Sequence, residues 1–138
     1  KLVRTEILID RGDFSKSESW KKIKNDIIQS IQALEYPKGA GKFILKDESG
    51  KKRGRGSGVK PIRDMFCAKL EQLGWHLEHK INNRGKAKPG PLDATTKVDD
   101  KIFAVEWETG NISSSHRAVN KMALGIINGV LIGGALIL

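Results

Sequence analysis

Between Pro91 and Arg117 the chain reads PLDATTKVDDKIFAVEWETGNISSSHR, and its acids Asp93, Glu106 and Glu108 fall where two paired strands bring them onto one face. Asn111, Ser113, Ser114 and Arg117 follow at once. Carboxylates that hold a divalent cation beside a basic, hydroxyl-rich segment are the parts that hydrolysis of a nucleic-acid phosphodiester requires.

The register behind that juxtaposition follows from side-chain alternation. Ile102 to Glu108 reads as a strand with Phe103, Val105 and Trp107 on its apolar side. Upstream, Leu92 to Val98 is rich in β-formers, with Leu92, Ala94 and Val98 on one side. A two-residue turn at Asp99-Asp100 pairs Val98 with Lys101, Thr96 with Phe103 and Ala94 with Val105, and so sets Asp93 opposite Glu106. Residues two apart share a face, so Glu108 joins the pair away from the aromatic side. Opposed carboxylates repel unless something compensates, and a hard cation with oxygen ligands is the usual compensation. The competing reading is an exposed hairpin face whose acids are merely solvated. Asp-Asp is also a less favoured turn pair than Asn-Gly or Asp-Gly.

Leu92-Asp93, twelve intervening residues and then Glu106-Trp107-Glu108 resembles the PD-(D/E)xK nuclease core. More narrowly it resembles the BamHI/BglII-type restriction endonucleases, in which a second acid stands where most relatives carry Lys. Asn111, Ser113 and Arg117 match that type's DNA-facing positions in their offsets from Glu108, and the likeness covers roughly residues 60–138. Two departures stand out: Leu92 replaces the motif Pro, which shifts to Pro91, and the motif Lys is missing.

The resemblance implies an α/β fold with the restriction-endonuclease-like core αβββαβ, a central mixed sheet flanked by helices. It implies a type II restriction endonuclease that cuts double-stranded DNA at a short palindromic sequence, as a homodimer, in the cytoplasm. It also implies Mg²⁺ on Asp93 and Glu106 with the Trp107 carbonyl as a further ligand, and Glu108 orienting or deprotonating the attacking water. Two alternatives stay open. One is another nuclease on the same core, acting in repair or junction resolution; the other is a non-catalytic basic DNA-binding module.

The elements that must position these residues are legible on either side. Ile62, Phe66, Leu70 and Leu73 make an apolar helical stripe, with Pro61 expected at its N1 position and Gly74 at its end. A strand starts at Trp75-His76-Leu77-Glu78. The nuclease family often carries another acid on this helix; Glu71 or Asp64 could serve, and the sequence does not choose. After Glu108, a second helix is expected with Ser113, Ser114 or Ser115 as its cap, presenting Arg117 and Lys121 to DNA. The apolar run Met122–Leu138 holds Asn128 and several glycines, so it reads as a helix end, a turn and a fully buried central strand from Val130 to Leu138. A membrane span is the rejected alternative.

The N-terminal part, residues 1–58, carries a helix and a basic loop, and 59–138 the catalytic core, all within a single nuclease domain. Ser15 to Glu18 has the form of a capping box ahead of Trp20, Ile23, Ile27, Ile31 and Leu34 at helical spacing. Residues 2–9 form a strand or an extended arm, and Lys42 to Leu45 a short strand. In the glycine-rich loop, Lys51, Lys52, Arg53 and Arg55 are placed for DNA phosphates together with Lys42, or are simply a solvated surface.

Composition agrees with this reading. Twenty-five Lys and Arg against 16 Asp and Glu give a net charge of +9, suited to a polyanionic partner. One cysteine, Cys67, excludes an intramolecular disulfide and points to a reducing compartment. His76 and His79 lie three apart on a strand and make poor co-ligands, and His116 sits beside Arg117 in a position suited to phosphate contact or plain exposure. No signal peptide heads the chain, which starts at Lys1 without Met; a fragment is the expectation.

Overall fold

The computed structural model describes residues 2–42, 44, 59–80, 90–108 and 112–138. Over these residues it is an α/β protein with three α-helices and a four-stranded mixed sheet. The elements are α1 (Glu18–Gln32), α2 (Val59–Gln72), β1 (His76–His79), β2 (Leu92–Val98), β3 (Lys101–Trp107), α3 (Ile112–Ile127) and β4 (Leu131–Ile137). From α2 onward this is the expected αβββαβ order. The chain divides into two compact units, Lys1–Leu70 and Glu71–Leu138.

In the first unit, α1 buries Ile23, Asp26, Ile27 and Ser30. Its cap is Ser17, whose hydroxyl accepts the Trp20 amide at 3.1 Å. The expected capping box at Ser15 is therefore displaced, because Phe14–Lys16 forms a short 3-10 turn that delays the helix. Residues 2–9 are not in a strand, and most of their side chains are exposed. Lys42 and Ile44 meet Tyr36 through backbone bonds of 3.1 and 2.8 Å; the rest of the expected short strand, Phe43 and Leu45, lies outside the described residues. Phe66, Cys67 and Leu70 are the buried residues of α2. Pro61 stands third in that helix rather than first, still within the turn whose amides have no intrahelical partner. Asp64 and Glu71 are both exposed.

The second unit is the sheet with α3. Its strand order is β1-β2-β3-β4, antiparallel from β1 to β3 and parallel between β3 and β4. The β2–β3 register is the expected one, with Ala94 opposite Val105, Thr96 opposite Phe103 and Val98 opposite Lys101. Asp99 takes a left-handed backbone at φ 54°, which Asp tolerates better than most residues and which lets a two-residue turn close the hairpin.

One face of β3 carries Phe103, which meets Trp75 edge-on at a ring separation of 6.5 Å. The other carries Ile102, Ala104 and Glu106, and α3 covers it. Leu92, Ala104, Met122 and Leu131 form an apolar cluster joined by Ile102, Val130 and Leu136. Both faces of the hairpin are consequently buried, whereas alternation in the sequence pointed to one apolar face and one acidic face.

The C-terminal run resolves into the end of α3, a turn and β4. Gly129 supplies the left-handed turn at φ 73°, and the Val130 amide returns to the Gly125 carbonyl at 3.0 Å. Among the described residues β4 is an edge strand, and only Leu131 in it is fully buried. This corrects the expected fully buried central strand: its apolar residues are half-covered because β3 flanks it on one side only. Gly134 pairs with Ala104, and a Cβ there would lie 2.5 Å from Met122 Sδ and 3.2 Å from Met122 Cγ. Gly134→Ala must therefore push Met122 out of the cluster. A loss of about 1–3 kcal/mol, the usual range for overpacking, is expected in urea unfolding. An unchanged midpoint would mean that α3 does not approach β4 this closely. No helix among the described residues is long and apolar enough to cross a membrane.

Candidate active site at the acidic hairpin

Asp93 and Glu106 are fixed by the hairpin itself. The pairs that continue the observed register set them opposite one another on the face that α3 covers. Asp93 is 9% exposed and Glu106 3%. The Trp107 N–H donates to Asp93 Oδ2 at 2.8 Å, so this carboxylate is held by the backbone of the neighbouring strand. Glu108 follows β3 directly, and its amide donates to the Ile137 carbonyl at 2.8 Å. It is half-buried.

Burial raises the Glu106 carboxyl above its usual pKa of 4.5, Lys121 opposes the rise, and the charges of Asp93 and Glu108 add to it. The acids placed together by spacing thus act on one another electrically. The folded protein holds this proton more tightly than the unfolded chain does. Its contribution to stability is complete below 4.5 and is lost as pH rises through the elevated folded value. Urea midpoints compared between wild type and Glu106→Gln are expected to show that decline in the wild type alone. A cation bound at Glu106 needs the carboxylate, so its affinity is expected to fall as the solution is acidified. Equal slopes in the two proteins would remove Glu106 as the source.

Lys121 is the feature that spacing did not reveal. Expected to face DNA, it instead turns inward from α3. Its ammonium pairs with Glu106 Oε1 and donates to the Pro91 carbonyl at 2.8 Å. Its side chain is 16% exposed and that of Glu106 4%. Glu106 Oε1 is buried, and Lys121 supplies its charge partner and donor. The sequence held one clue: Lys121 lies three residues after Ala118 and four before Gly125, a spacing that puts it on the same helical face as the buried stripe Ala118, Met122, Gly125.

The remaining expected residues spread along α3. Ser113, Ser114 and Ser115 lie inside its first turn rather than at its cap. Arg117 is exposed and donates to Ser114 Oγ at 3.1 Å. Asn111, Lys51, Lys52, Arg53 and Arg55 lie outside the described residues.

Hard oxygen donors on a shared face, with Asp93 and Glu106 both buried, suit a hard divalent cation. Mg²⁺ commonly takes one or two carboxylates and keeps several waters. A closed cage is not built: among the described residues, no group of three or more His, Cys, Asp or Glu side chains is arranged to hold a metal.

A model of the BamHI restriction endonuclease family matches residues 1–138. The type II restriction enzyme OkrAI of Oceanobacter kriegii is 43% identical over 138 residues, which are the whole of this chain and 67% of that protein. The type II restriction enzyme BamHI of Bacillus amyloliquefaciens is 29% identical over 136 residues, or 92% of this chain and 62% of that protein. The chain spans about two thirds of the length of these relatives. With every residue matched to one family and the paired acids on one sheet face, the chain belongs to the BamHI restriction endonuclease family, a family of type II site-specific deoxyribonucleases.

Proposed function

We propose that this chain is a single nuclease domain of a Mg²⁺-dependent type II restriction endonuclease. It hydrolyses both strands of double-stranded DNA at a short palindromic sequence, as a homodimer in the cytoplasm. The observation that carries this reading is Asp93 facing Glu106 across β2 and β3, locked there by the Trp107 amide. The names and family of the relatives support the reaction class.

Asp93 and Glu106 would hold the cation, with the Trp107 carbonyl beside them. When bound, such an ion polarises a phosphate oxygen and lowers the pKa of a coordinated water. The chain's own part is positional. Glu108 orients the attacking water and accepts its proton, since a carboxylate here can act as a base but cannot supply the positive charge of a lysine. The first two turns of α3 bring Ser113, Ser114 and Arg117 to the duplex, with Asn111 just before them in sequence. Arg reads guanine and Asn reads adenine in the major groove. Lys51, Lys52, Arg53 and Arg55 touch backbone phosphates, each contact steepening the salt dependence of binding. A palindromic target is matched by a two-fold pair of chains, each cutting one strand.

Incubation of a long linear duplex and of a supercoiled plasmid with the protein, with and without Mg²⁺, tests the proposal. Discrete fragments that appear only with the ion are expected. Selective cutting of branched junctions with no discrete duplex fragments would overturn it, as would salt-sensitive binding without any cleavage.

A further inference from the structure

Lys121 raises a question that the proposed reaction leaves unanswered. Its ammonium occupies the place beside Glu106 where a divalent cation would have to bind, and it approaches from α3, the same helix that carries Ser114 and Arg117. Two contacts hold it there, the ion pair to Glu106 Oε1 and the bond to the Pro91 carbonyl at 2.8 Å. Glu106 is 3% exposed, and Lys121 is the partner that meets its charge. An unpaired carboxylate this deeply buried is costly, so the cation-free fold needs a positive charge at this point. Lys has the attributes for a charge that must also leave: a compact ammonium on a flexible stem, monodentate and able to swing outward.

We propose that Lys121 is the built-in counter-cation of the acidic site, competing with the divalent ion for Glu106 and released toward the DNA side of α3 when that ion binds. The inference rests on the nuclease reading of Asp93 and Glu106. It assigns Lys121 as a positioning residue in the cation-free state. Two like charges cannot share one carboxylate oxygen cheaply, so occupancy by one disfavours the other. The competition sets the cation concentration at which the site fills.

The test uses the intact protein without DNA, titrated with Mn²⁺ and read by electron paramagnetic resonance, so it does not depend on cleavage. Removing the competing charge in Lys121→Met is expected to tighten Mn²⁺ binding by about tenfold or more. Lys121→Arg, which keeps the charge, is expected to stay near wild type. Lys121→Gln serves if the Met variant does not fold. In the wild type, Ca²⁺ is expected to increase acetylation of Lys121 by an amine-reactive reagent, followed by mass spectrometry.

A merely structural lysine would leave cation affinity unchanged or weaken it when removed. Wild type that binds Mn²⁺, with equal or weaker binding in the neutral variants and no change in Lys121 reactivity, overturns the counter-cation role and leaves the nuclease reading standing. No binding in wild type or variants overturns the role as well, and duplex cleavage indifferent to added Mg²⁺ then shows that the metal-dependent reading has failed with it.

Discussion

Asp93→Asn is expected to lower the rate of duplex cleavage by at least about a hundredfold, the upper end of what loss of an outer supporting partner costs a metal site, while the fold survives. The substitution is nearly isosteric. Its amide oxygen can still accept the Trp107 N–H that Asp93 Oδ2 takes at 2.8 Å, so the crossing between β2 and β3 is kept. What disappears is one of the two anions proposed to hold the cation. Duplex binding without cation should be equal or stronger, because a negative charge near the DNA has gone. Single-turnover cleavage at saturating Mg²⁺, with circular dichroism of the same preparation, separates the two effects. Wild-type cleavage in a folded Asp93→Asn protein would take this residue out of the chemistry.

A second large effect is expected from Phe103→Ala. Phe103 is 2% exposed on β3, packed edge-on against Trp75 on the face opposite Glu106. Truncating a buried aromatic to Ala costs about 3–5 kcal/mol. Against a total stability that is typically about 5–15 kcal/mol, the variant is left marginal. Thermal unfolding should show a much lowered midpoint. Cleavage at low temperature should persist in whatever fraction remains folded, since no reacting group has been altered. A small stability change with lost activity would instead place Phe103 in the working parts of the site.

The hairpin and its acids were legible because Phe103, Val105 and Trp107 recur at period two with Glu106 between the last two, and one turn fixes every pair behind it. The order of helices and strands from Pro61 onward was legible because Gly74, Pro91 and Gly129 mark boundaries and Asp99-Asp100 supplies the turn between β2 and β3. Burial was less so. Alternation pointed to a dry face and a wet one, but Ala104 and Gly134 are small enough to admit α3 onto the acid-bearing side. The pairing of Lys121 with Glu106 was hidden for the same cause: a cation on a helix reads as exposed unless the packing of its neighbours is known. The run ending at Leu138 looked like an interior strand because apolar content was taken for two-sided cover, and in the described sheet it has a neighbour on one side only. Cap positions also slipped, at Ser17 and in the serines after Asn111, where a few hydroxyls compete within one turn.

Anchoring Asp93 to a peptide amide of β3 ties the proposed cation site to the pairing of two strands rather than to a rotamer choice. A misaligned hairpin would scatter the ligands altogether, so an imperfectly folded copy should be inert rather than a sloppy cutter. For a protein whose errors would be written into DNA, that all-or-nothing behaviour is a safeguard built into the zipper of the sheet.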